Sequence, residues 1–332
     1  MSMPTARLGL TGLAVSRLAL GTMTFGFQTE EAVARQILAK AASAGVTLLD
    51  AADVYPVGGG LPTVGRTEEI VGRWLKGQRG SFILATKGVG KTGPNPWDQG
   101  ASRKHLLDAV DASLRRLQTD YVDLYQLHSD DRTTPLDETL EALDVIVKSG
   151  RARYVGVSNF LAYRIATALG RADLKGWARP VSIQPRYSLL FREIERELLP
   201  LAAEQGLGVI PYNPLAGGML SGKHRFDAAP APGTRFTLGS VADLYQSRYW
   251  REREFATVAS LQRLAAEAGT PLTTLSIAWT LANPAITAPL LGASRPEQLD
   301  DTLAAAAYKL DPDLKQKMDE ITVDHRRGDA PR

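Results

Sequence analysis

A chain of 332 residues, 44% hydrophobic and 23% charged, has ample material for a packed core and excludes a disordered or fibrous protein. With no cysteine it can form no disulfide, thiolate nucleophile or cysteine metal site. A net charge of +3, partly carried by HRRGDAPR at the C-terminus, makes no case for a nucleic-acid surface, and no apolar run long enough for a bilayer span or followed by a cleavage site is present.

Past a glycine-punctuated start, short apolar or β-branched runs alternate with longer helical patterns. Residues 6–9 and 14–16 flank the turn Leu10 to Leu13 and predict a small hairpin ahead of a strand at Arg17 to Leu20. A helix is expected over Glu30 to Ala44, capped by Thr29, then a strand at Val46 to Asp50 and a helix at Thr67 to Leu75. The alternation continues with a strand at Phe82 to Thr86, a helix at Arg103 to Leu117 and a strand at Val122 to Leu127. Next come a helix at Leu136 to Lys148, a strand at Tyr154 to Val157, a helix near Ala162 to Leu169 and a strand at Val181 to Gln184. A helix at Ile194 to Gln205 leads to a strand at Leu207 to Pro211. Helical patterns at Phe255 to Ala268 and Leu272 to Ala282 precede a last strand at Thr287 to Leu290. Helices at Pro296 to Ala306 and Pro312 to Ile321 finish the ordered part, and residues 323–332 read as a flexible tail.

Eight strands, each followed by helix, predict a single α/β domain over residues 1–332, a (β/α)8 TIM barrel with a short N-terminal hairpin. The turn after the first barrel strand, GTMTFG, lacks the glycine fingerprint of a doubly wound dinucleotide fold. Two segments rich in glycine and proline, 56–66 and 213–249, break the rhythm. Both follow strand ends, so both are expected as loops at the C-terminal mouth, where barrel enzymes gather their catalytic groups.

Polar groups terminate successive apolar strands: Asp50 ends TLLD, Lys87 follows ILAT, His128 follows VDLYQL, Ser158 and Asn159 end YVGV, and Gln184 ends VSI. Each alone has a structural explanation as a cap, a snorkelling lysine or a loop histidine. Five in succession imply one shared site.

The segments LLDAADVY (48–55), LATKG (84–88), YQLH (125–128), GVSNF (156–160), PYNPLAGGMLSGK (211–223) and LLGASRPEQLDDT (290–302) resemble the aldo-keto reductase superfamily. Their later versions look most like a bacterial branch related to potassium-channel β subunits and deoxysugar ketoreductases. The resemblance implies a catalytic tetrad of Tyr55, Asp50, Lys87 and His128. Carbonyl reduction needs a proton donor and positive potential at the oxygen. Tyr55 would give the proton, Lys87 would favour its phenolate, Asp50 would hold Lys87, and His128 would orient the carbonyl. A purely structural Asp50–Lys87 ion pair is the alternative.

The same resemblance implies an NADP(H) site, with NAD(H) use as an alternative. Ser158, Asn159 and Gln184 match carboxamide-binding positions, and Tyr212, beside Asn213, matches the ring that stacks on the nicotinamide. Gly21, Thr22 and Met23 match positions lining its ribose, close to Asp50. Leu215, Gly217, Ser221 and Lys223 fall at the pyrophosphate, and Ser294, Arg295, Gln298 and Asp301 at the adenosine end. Two departures stand there: Gly292 replaces a lysine of some branches, and Thr302 replaces a common asparagine. A third is the lengthened loop after Tyr55, with Glu68 or Glu69 as the family's glutamate.

The expected activity is NADPH-dependent reduction of a small aldehyde or ketone in the cytoplasm, with no metal, nucleic acid or membrane and with homo-oligomerisation open. Arg186, Arg192, Arg235 and Arg248 would serve a nucleotide-linked deoxysugar in a second reading. A third is a non-enzymatic nicotinamide sensor or auxiliary subunit. GKTG at Gly90 to Gly93 lacks the spacing of a phosphate loop, and the four histidines lack metal-ligand spacing.

Overall fold

The computed structural model describes residues 3–327. It opens on a hairpin, β1 (Thr5–Arg7) antiparallel to β2 (Ala14–Ser16). Gly9 turns at φ 59°, and a Cβ there would lie 2.4 Å from the Gly206 carbonyl oxygen, so only glycine lets the hairpin reach the rim of the barrel.

The barrel follows as β3 (Ala19–Gly21), α1 (Glu31–Ser43), β4 (Leu48–Asp50), α2 (Arg66–Leu75), β5 (Ile83–Gly88) and α3 (Arg103–Leu117). It continues as β6 (Val122–Leu127), α4 (Leu136–Lys148), β7 (Ala152–Ser158), α5 (Ala162–Lys175), β8 (Ser182–Gln184), α6 (Leu198–Gln205) and β9 (Gly208–Val209). Helices α7 (Ala242–Tyr249), α8 (Glu252–Glu267) and α9 (Leu272–Leu281) precede β10 (Leu290–Leu291), and α10 (Leu299–Ala304), α11 (Pro312–Ile321) and α12 (Asp324–Arg327) end the described chain. The eight strands β3 to β10 form one parallel sheet in the order β10-β3-β4-β5-β6-β7-β8-β9. Backbone hydrogen bonds from Thr287 N to Val209 O (2.8 Å) and Leu290 N to Pro211 O (2.9 Å) join its two ends. The fold is a (β/α)8 barrel.

Strand alternation sorts the side chains. Leu49, Leu84, Tyr125 and Ile183 join the large core beneath the helices. Leu48, Ala85 and Leu124 belong to a second, smaller core with Leu8 and Val15 of the hairpin. Two residues further along their strands, this inner row turns polar: Asp50, Lys87 and Gln126 are all buried. The same pleat that fills the barrel floor with apolar groups therefore aims a polar layer at its mouth.

Several local expectations change. Thr29 does not cap α1, whose N-cap is Glu30 without a side-chain bond; the Thr29 hydroxyl turns back to Thr24 at 3.3 Å. The helix expected over 194–205 splits into a 3-10 turn at Glu193–Glu195 and α6. The last two barrel strands are shorter than expected because Pro211 and Pro289 cannot donate to a ladder. The segment 213–249 is built rather than open: it holds 3-10 turns at Ala216–Ser221, Arg235–Thr237 and Gly239–Val241 before α7. Residues 323–327, expected in a flexible tail, hold the helical turn α12; His325 is buried and its carbonyl accepts from Arg192 N at 2.9 Å. Residues 328–332 lie outside the described residues. Among the described residues no helix is long and apolar enough to cross a membrane.

Candidate functional site

Asp50 ends β4 and Lys87 lies on the adjoining β5, one step further up the barrel, so their inward side chains meet. Lys87 donates to Asp50 Oδ1, to the Ala51 carbonyl at 2.8 Å and to the Tyr55 hydroxyl at 3.4 Å, with no exposure to solvent. Gln126 and Gln184 donate to the other Asp50 oxygen, at 3.2 and 2.8 Å. Both oxygens of the buried Asp50 carboxylate are thus offered a donor. The Tyr55 and His128 rings meet edge to face with centroids 5.6 Å apart. Sequence and structure agree in bringing Asp50, Tyr55, Lys87 and His128 together.

Burial pushes the Tyr55 phenol up to about 12, against the pull of the Lys87 ammonium. Lys87 favours the phenolate as expected, but desolvation outweighs it and the phenol stays protonated. Burial pulls Lys87 down, yet Asp50 and the Tyr55 hydroxyl outweigh it and leave the ammonium above its ordinary value. Desolvation, aided by Lys87, pushes His128 down to about 3, so its imidazole is neutral. This carries a prediction. An unfolded histidine takes a proton below about pH 6.5 that the folded one refuses, so the His128 contribution to stability is full above that pH and lost as pH falls toward 3. His128→Gln should flatten the acid limb of melting temperature against pH; an unchanged limb would contradict a neutral His128.

Above the four residues opens a cavity of about 1120 Å³. Its walls include every residue assigned to a cofactor from the sequence except Thr22. Thr22 is fully buried and its hydroxyl donates to the Asp50 carbonyl at 2.8 Å, so its side chain braces β4 while Gly21 and Met23 face the cavity. At one end Ser158 donates to the Gln184 carbonyl (2.8 Å), Asn159 to the His128 carbonyl (2.9 Å), and Tyr212 to Asn159 Oδ1 (2.8 Å). Asn159 and Asn213 reach these places at φ 59° and 57°, a left-handed geometry asparagine tolerates. In the middle, Leu215 and Gly217 line the turn Ala216–Ser221, and Ser221 donates to the Gly218 carbonyl at 2.6 Å. At the far end Gln298 Oε1 accepts from Ser294 N (2.8 Å), and Asp301 accepts from Thr273 at 2.9 Å. Lys223 is pulled down by burial and by the nearby Arg295.

Among the wall residues Tyr245 escaped sequence reasoning, whereas Arg235, Arg248 and Asn213 were candidates from the sequence. Arg235 packs against Gly217, where an added Cβ would come within 3.6 Å of its Cγ, and its Nη1 is buried without a partner. Asn213 Nδ2 is likewise buried and unpartnered. Tyr245 and Arg248 of α7 also face the cavity. Of the four arginines considered for a diphosphate, Arg192 does not serve: it binds Glu195 at 2.9 Å and Asp319 at 3.1 Å, tethering the C-terminal helices. Glu68, not Glu69, enters the core: it is fully buried and accepts from Thr86 (2.5 Å) and Arg116 (2.7 Å). Nearby, Asp53 is buried with both oxygens unpartnered, and burial together with Glu68 raises its carboxyl well above the usual range.

Comparison with known proteins fits this geometry. Residues 17–323 match the Aldo/keto reductase family. The chain is 39% identical over 322 residues to the uncharacterized oxidoreductase YrpG of Bacillus subtilis, covering 95% of this chain and 94% of that protein. It is 37% identical to a probable voltage-gated potassium channel subunit beta of Arabidopsis thaliana, over 90% of this chain and 89% of that one. A versiconal hemiacetal acetate reductase of Aspergillus parasiticus is 33% identical over 97% of each chain. These relatives carry different names on one shared sequence pattern. The chain belongs to the aldo/keto reductase family.

Proposed function

We propose that the protein is an oxidoreductase that reduces aldehyde or ketone carbonyls with NADPH, Tyr55 being its proton donor. The observation that carries this reading is the Tyr55 hydroxyl, held 3.4 Å from the buried Lys87 ammonium at the floor of one long cavity. A bound reduced nicotinamide would supply the hydride for the carbonyl carbon. Tyr55 keeps its proton until charge builds on the carbonyl oxygen, and Lys87 stabilises the phenolate it leaves behind. Asp50 fixes the ammonium, and neutral His128 can donate a hydrogen bond to the same oxygen. Asp50, Tyr55 and Lys87 are all buried, which strengthens each of these contacts.

The residues present suit a dinucleotide. Arg235 Nη1 and Asn213 Nδ2 are buried donors that lack acceptors, and phosphate or amide oxygens would satisfy them. Lys223 and Arg295 lie near each other at the far end, where mutual repulsion favours a bound phosphate. That supports NADP(H) over NAD(H). Arg295→Gln should raise the KM for NADPH about 10-fold to 100-fold, the worth of a charge-assisted contact, and change that for NADH about threefold at most. Equal losses for both cofactors would remove Arg295 from the 2′-phosphate site. The reading as a whole is tested by loss of NADPH absorbance with a panel of aldehydes, ketones and dicarbonyls. Tight NADPH binding without turnover of any of them would favour a sensor or auxiliary role instead.

A further inference from the structure

The cations that line the cavity do not all stand where the phosphates of a dinucleotide would lie. Its wall carboxylates are Asp50, already paired with Lys87, and Asp301, held by Thr273. Facing them are Lys223, Arg235, Arg248 and Arg295. Lys223 and Arg295 share the far end, and Arg235 packs on the glycine turn between. Arg248 is left over, and it lies elsewhere.

Arg248 sits on α7 between the buried Tyr245 and Tyr249 and lines the cavity beside Tyr212, whose phenol feels its charge. One turn earlier on α7 the Tyr245 hydroxyl donates to Asn213 Oδ1 at 3.4 Å, and the neighbouring Tyr212 hydroxyl is 2.8 Å from Asn159, which bonds the His128 carbonyl at 2.9 Å, so α7 brings Arg248 to the Tyr55 end of the cavity. Arg186 approaches from behind. A backbone bridge pairs it with Tyr212, and its guanidinium lies 3.5 Å over the Phe191 ring and 5.8 Å from that of Tyr249. Both arginines pull on the phenols of Tyr212 and Tyr249, although burial keeps those phenols raised. Among the described residues neither arginine forms an ion pair with a carboxylate, whereas the neighbouring Arg192 forms two. A guanidinium on the cavity wall without a carboxylate partner, with a second one packed behind that wall, makes a site for an oxyanion.

Building on the carbonyl-reductase reading, we propose that Arg248, backed by Arg186, binds an anionic group of the substrate, so that the preferred substrates are carbonyl compounds carrying a carboxylate or phosphate. The guanidinium fork suits either oxyanion, and the anchor fixes the carbonyl beneath it against Tyr55.

Matched pairs read this directly: 4-oxobutanoate against butanal, and glyceraldehyde 3-phosphate against glyceraldehyde, each with NADPH. The wild type should favour the anionic member of at least one pair by about 10-fold to 100-fold in kcat/KM, mainly through KM, and the favoured pair distinguishes carboxylate from phosphate. In Arg248→Met that ratio should fall to within about threefold of unity. A guanidinium that merely braces Tyr212 would leave the ratio unmoved. The wild type alone gives a second measurement: about 1 M salt, with a screening length of about 3 Å, should shrink the preference. No anionic preference in the wild type, or a preference that survives Arg248→Met, overturns the proposal while leaving the reductase intact. Failure to turn over all four compounds with NADPH bound overturns the reductase reading and the proposal together.

Discussion

Tyr55→Phe should lower kcat by about 10²-fold to 10⁴-fold, the range a positioned general acid supplies, with NADPH binding within about twofold of the parent protein. The substitution removes one hydroxyl from a buried ring and keeps its packing against His128. Lys87 would still be held by Asp50 and the Ala51 carbonyl, so the surrounding charges stay in place. The loss should therefore appear in kcat and not in cofactor affinity, measured by NADPH absorbance and by quenching of protein fluorescence. Comparable losses in both would mean that Tyr55 builds the site and does no proton transfer.

Lys87→Met should cost about 3–5 kcal/mol of stability, because it leaves the Asp50 carboxylate in the barrel interior with no cation. The donors Gln126 and Gln184 remain on one oxygen, which holds the loss toward the lower end. Thermal unfolding should fall by about 4–7 °C on the scale expected of a domain this large. The double variant Asp50→Asn with Lys87→Met should recover part of that loss, since two neutral groups of similar shape need no counter-ion. A single variant as stable as its parent would show that the pair is not desolvated as the structure describes.

Much of this was legible in the chain because the inner row of the barrel keeps a strict two-residue period. LLD and LATK place Asp50 and Lys87 two positions beyond Leu48 and Ala85, and that spacing survives any error in strand ends. Helices with a full apolar stripe, such as Arg103–Leu117 and Leu136–Lys148, were legible to the residue. Helix α7 was not. ADLYQSRY buries only Tyr245 and Tyr249, and that pair, four residues apart, was the one sequence signal it gave. The lengths of β9 and β10 were misread because prolines permit an extended chain while removing its donors. Thr22 lies between two cavity residues, but its direction depends on a contact with the next strand, which no linear pattern encodes. The same is true of Arg235 and Arg248, whose importance lies in the missing counter-ions around them.

Carbonyl reduction is expected to take place at Tyr55, at the floor of this cavity. The most direct test is turnover of a reactive aldehyde with NADPH deuterated at C4, followed by mass analysis of the alcohol. One deuterium is expected at the carbinol carbon with the wild type, and almost no labelled alcohol with Tyr55→Phe. Labelled alcohol formed equally fast by Tyr55→Phe, or none formed by a wild type that binds the cofactor, would contradict it.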